Sequence, residues 1–157
     1  MASINFNEIY SRFFSKVEAF DFLYEEASAE ALAAHMSEWI AATLSHPHIR
    51  KLFKTIEVND EDGTITYEMN YETDEYSDKQ FLINVMAYGM VRAWLEPKVR
   101  SITNVVQNFG TSDGRWFSQA QHLSELRALL EDSVHEIRSV IGYRGAFNNK
   151  YLDGDKL

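Results

Sequence analysis

Cysteine is absent from this 157-residue sequence. That excludes a disulfide framework and thiolate metal ligation, and it leaves an intracellular setting without cost. Proline occurs only at Pro47 and Pro97, so nearly the whole chain is free to take regular structure. No apolar run reaches the roughly 17 to 25 residues that a membrane-spanning helix needs. Basic residues are in deficit, with 15 Lys and Arg against 24 Asp and Glu, a net charge of −9. Such a balance argues against a sequence-independent grip on nucleic acid, because that grip comes from neutralising phosphates. The opening MASINFNEIYSRFF has no continuous apolar core, so it is not read as a secretory signal, and the expected setting is the cytoplasm.

What the sequence does have is FLINVMAYGMVRAWL, residues 81 to 95, in which only Asn84 and Arg92 are strongly polar. A helix that is apolar on every face is buried on every face. This stretch is therefore expected to be the centre of a helical bundle. Ser77 and Gln80 match a capping box at its start, Gly89 implies that another backbone comes close, and Pro97 is expected to end or kink it. Val99, Ile102, Val105, Val106 and Phe109 resume a helical stripe up to Gly110.

Around this centre, Phe6, Ile9, Tyr10, Phe13, Phe14 and Val17 recur at spacings of three and four and predict a helix over residues 5 to 17. Ser28 is a candidate N-cap for a second helix carrying Leu32, Met36, Trp39, Ile40 and Leu44. His46-Pro47-His48 ends that helix, with one further short turn before Lys54. From Thr55 the period becomes two. Ile56 and Val58, the run Asn59 to Gly63, then Ile65, Tyr67, Met69 and Tyr71 predict a β-hairpin. An isolated hairpin is marginal in water, so its apolar face must lie on the bundle or on a neighbour. Ser118 and Gln121 match a second capping box, followed by Leu123, Leu126, Leu130, Val134, Ile137 and Ile141 at helical spacing up to Gly142.

The expected fold class is therefore mainly α: a helical bundle around a buried central helix, with one β-hairpin at about 55–71 and an extended C-terminal arm. Residues 1–142 form the helical domain and 143–157 the arm, in which Phe147, Tyr151 and Leu152 are apolar anchors suited to a neighbour.

The search for chemistry yields no catalytic, cofactor-binding or metal-ligating assignment. The five histidines lack an H-E-x-x-H pattern, and the Asp60-Glu61-Asp62-Gly63 run places Val58 where a calcium loop needs its first acidic ligand. No nucleophile elbow, P-loop or dinucleotide fingerprint is present. Arg92, set among apolar residues, is read as snorkelling or paired with Glu96 four residues on, in preference to contacting a substrate. Charge is uneven along the chain: residues 57 to 78 hold nine acidic side chains and no basic one. Asp60, Glu61 and Asp62, together with Arg144, Phe147, Tyr151 and Leu152, are the candidate interface residues.

Three stretches carry a resemblance: SKVEAFDFL at 15 to 23, GMVRAWLEPKVRSITNVVQNFG at 89 to 110, and FSQAQHLSELRALLED with the later YRGAFNNKYL. They resemble neck proteins of tailed bacteriophages, the head completion or head-tail adaptor (connector) class. The resemblance implies a non-enzymatic structural virion protein without cofactors. It also implies a homo-oligomeric ring at the virion neck, assembled in the host cytoplasm, in contact with the portal protein and other neck or tail proteins. DNA would pass through its lumen without sequence-specific binding, and no membrane would be involved. The competing expectation is an acidic protein-binding module, an inhibitor or regulator of the DNA-mimic type, with residues 57 to 78 as its active surface.

Overall fold

The computed structural model describes the backbone of residues 1–17, 29–108 and 115–147, and the side chains of 1–17, 32–101 and 121–145. In chain order the elements are β1 (Ala2–Asn5), α1 (Phe6–Val17), α2 (Ala29–Leu44), α3 (Pro47–Arg50), β2 (Phe53–Asn59), β3 (Thr64–Met69), α4 (Glu75–Asn108) and α5 (Arg115–Phe147). The fold is mainly helical with a small three-stranded antiparallel sheet.

Helix α4 is the centre, as residues 81 to 95 require. Leu82, Val85, Met86, Ala87, Met90 and Leu95 are fully enclosed, and Trp94 is 3% exposed. α1 lays Ile9, Phe13 and Val17 against it, with the Phe13 ring edge-on to Trp94 at 6.5 Å between centroids. α2 contributes Met36 and Ile40. At Gly89 the crossing with α2 is so close that a Cβ would lie 2.1 Å from Thr43 Cγ2. Thr43 is itself fully buried, and its hydroxyl donates to the Trp39 carbonyl at 2.7 Å. The glycine is therefore needed for packing.

The sheet has the order β1-β3-β2. Ile65, Tyr67 and Met69 of β3 alternate inward, and a bulge at Lys54 lets Phe53 and Ile56, three apart instead of two, both face the core. Gly63, at φ 61°, closes the turn, and its carbonyl accepts from Phe6 N at 2.8 Å, tying the start of α1 to the hairpin. The expected hairpin is present as β2 and β3, its apolar face on the bundle, and β1 adds an unexpected third strand. Ile4, 1% exposed, anchors the extra strand in the core.

Several expected boundaries also move. α4 is capped by Asp74, whose carboxylate accepts from Ser77 N at 2.9 Å, and not by a Ser77–Gln80 box. Gln80 instead accepts from Arg12. α4 passes through Pro97, which is exposed, and continues to Asn108, so the proline does not end it; it withdraws the donor that would have reached the Ala93 carbonyl. α5 is already helical at Arg115, before the expected cap at Ser118.

The boundary of the arm is corrected in the same way, because α5 runs through Gly142 and Gly145 to Phe147. Each glycine costs about 1 kcal/mol of helix propensity. Arg144, between them, is held against α4 as described next.

Candidate functional site

The first feature to build is the junction of Arg144 with the start of α4. Arg144 Nη2 donates to Asp78 Oδ1 and to the Tyr71 carbonyl, each at 2.6 Å, and the guanidinium lies 4.5 Å from the Phe81 ring centroid. Both partners are sheltered, with side-chain exposures of 12% and 7%. Asp78 also accepts from Thr73 N. A candidate interface residue is thus committed within its own chain, pinning the end of α5 to the entry of α4. Phe147 is helical, but its side chain lies outside the described residues, as do Tyr151 and Leu152 entirely.

The acidic hairpin resolves into separate roles. Asp60 accepts from the Ser37 hydroxyl at 2.7 Å, joining the turn to α2, and Asp62 bonds with Asn59 inside the turn. Glu61 is exposed at the tip. Glu68 pairs with Lys54 across β2 and β3, which raises the Lys54 pKa. Asp74 is lowered chiefly by its hydrogen bonds from Ser77. The segment read as one acidic surface therefore divides into structural carboxylates and an exposed remainder: Glu57 and Glu61 toward the tip, Glu72 and Glu75 at the α4 entry.

The second feature is a groove between α3, α4 and α5. One cavity of about 340 Å³ is lined by His48, Arg92, Val134, Ile137, Arg138, Ile141 and Gly142. A second, of about 400 Å³, shares Val134 and Arg138 and extends along Leu130 to Glu96 and Glu131. Arg92 Nε donates to Glu96 at 2.8 Å, the expected pair four residues apart. The first cavity nevertheless carries only basic groups over an apolar floor. Burial and then the nearby His46, Arg92 and Arg138 hold the His48 pKa below its ordinary value. Sequence reasoning missed this groove. The apolar stripe of α5 signalled its floor, but the basic rim comes from three elements that no spacing connects.

Among the described residues, no group of three or more His, Asp or Glu could hold a metal ion, and no helix is long and apolar enough to cross a membrane. No protein-family model matches the chain, and neither a curated protein nor a solved structure is similar to it.

Proposed function

We propose that this chain is a structural subunit that joins copies of itself head to tail, as a ring-forming head-tail adaptor of a tailed-bacteriophage neck. The observation that carries the reading is the separation of complementary surfaces within one chain. The end of the groove beside α3 carries His48, Arg138 and the Glu96-paired Arg92 over apolar side chains, whereas the hairpin tip is acidic. Strand β2 leads from α3 to that tip, and six steps of about 3.3 Å put roughly 20 Å between its ends. Two different, complementary patches on one subunit make heterologous contacts, and these close into rings when the rotation permits. The tip of one subunit would then enter the groove of the next, leaving other faces to the portal and to tail-side proteins, with DNA passing through the lumen.

Sedimentation velocity tests this directly. The expected outcome is a closed oligomer that dissociates with Arg138→Glu or with Glu61→Arg and re-forms when both changes are present in one chain. A subunit that stays monomeric at all concentrations overturns the proposal, and so do single variants that assemble normally. The DNA-mimic reading takes its support from the exposed carboxylates at 57 to 78. It expects a monomer or dimer that binds a DNA-binding enzyme through that edge.

A further inference from the structure

A third cavity, of about 350 Å³, opens at the entry of α4 and is lined by Tyr67, Glu72, Thr73, Asp74, Glu75 and Asp78, together with the first two residues. Two independent observations mark it out. Tyr67 is 3% exposed, yet its hydroxyl has no hydrogen-bond partner among the described residues. Burial first, and then the charges of Asp78 and Glu75, push its pKa up. A buried hydroxyl without a partner carries the desolvation penalty with nothing to offset it.

The surface around the cavity is also unusual. Of the five large hydrophobic residues exposed among the described residues, three are tyrosines on the segments that meet here. Tyr71 and Tyr76 flank the acidic run and Tyr143 precedes Arg144, with exposures of 61%, 73% and 70%. Exposed tyrosines close in sequence to a pocket's lining are a common composition of a protein contact.

We propose that this cavity receives an arginine side chain from a protein partner. Glu72 and Glu75 supply charge not already committed to Arg144. The Tyr67 hydroxyl accepts one guanidinium N–H. The chain already shows the chemistry next door, where the Arg144 guanidinium is held by a carboxylate, a backbone carbonyl and an aromatic face.

Saturation-transfer NMR with N-acetyl-arginine methylamide, and with the uncharged citrulline analogue as control, reads binding whatever the size of the assembly. The arginine compound should give a saturable signal that the citrulline analogue does not. Tyr67→Phe removes only the hydroxyl, so it should weaken the arginine compound by about tenfold, the loss of one hydrogen bond to a charged group. Its melting temperature should stay equal or rise. Glu75→Gln, at an exposed position, should weaken binding independently. No saturable signal, equal binding of the citrulline analogue, or unchanged binding by either variant overturns the proposal. This outcome does not depend on ring formation, which Arg138→Glu and sedimentation report separately.

Discussion

Helices α4 and α5 are nearly equal in length, at 34 and 33 residues, yet they hold their places in different ways. Between 81 and 95, α4 is enclosed by α1, α2, α5 and β1, and its apolar residues point in every direction because every direction is filled. α5 packs mainly on α4, and in its described stretch only Leu123, Leu126, Ser133 and Ile137 are buried. Leu130, Val134 and Ile141 remain half-buried beside open cavities. A helix apolar all round reports the fold. One whose apolar stripe is wider than its neighbour covers reports unspent surface.

The sharpest way to break this contrast is at Trp94. Trp94→Ala should destabilise the subunit by about 3 to 5 kcal/mol, since a large side chain leaves a cavity that its enclosed surroundings cannot fill; denaturant midpoints measure it. Asp78→Ala should cost about 3 kcal/mol, because it leaves Arg144 sheltered without its counter-charge. Adding Arg144→Met to that variant should recover part of the loss. At Gly89, the new methyl of Gly89→Ala meets stiff, buried Thr43. A strain of about 2 to 3 kcal/mol, the upper part of the overpacking range, less roughly 1 kcal/mol of regained helix propensity leaves a net loss of about 1 to 2 kcal/mol. Thr43→Ala in the same chain should relieve much of it, so a double-mutant cycle would show coupling.

On α5 the expectation reverses. Ile141→Ser should change stability by no more than about 1 kcal/mol, as for a partly exposed position, while sedimentation shows loss of the oligomer.

The smallest effect expected is that of pH on assembly. His48 is held below its ordinary 6.5 by burial and by His46, Arg92 and Arg138. In the free subunit the neutral ring is favoured, so His48 contributes a small loss of stability as pH falls below that value. A carboxylate arriving in the groove favours the charged ring, so docking takes up a proton and tightens as pH falls from neutrality toward 6. His48→Gln should flatten that dependence.

Much of the fold is legible in the sequence where a period is long and strong. The α1 stripe and the hairpin follow from periodicity, the core helix from a run too apolar to leave any face to solvent, and the close approach at Gly89 from one residue that is otherwise unfavourable in a helix. The features that escape are short or distant in sequence. β1 has four residues, too few to establish alternation. Asp74 prevails as the cap over Ser77 by a few residues of register, a distinction below the resolution of propensity. The helix past Gly142 depends on Arg144 finding Asp78, 66 positions earlier, and local glycine content points the other way. The site is less legible still. Asp60, Glu61 and Asp62 do share the hairpin turn, but Arg144 is committed within its own chain, and the groove assembles from separated residues.

The strand Ala2–Asn5 pairs with Tyr67 through Thr64, far along the chain from it, so β1 completes the sheet only after β3 exists. Until then β3 has one bare edge, able to accept any extended segment that reaches it first. An early folding subunit is therefore open to strand exchange, in which the β1 segment of one molecule completes the sheet of another. A bulky group fused ahead of Ala2 should prolong that vulnerable interval, appearing as concentration-dependent refolding yield even if the final structure is unchanged.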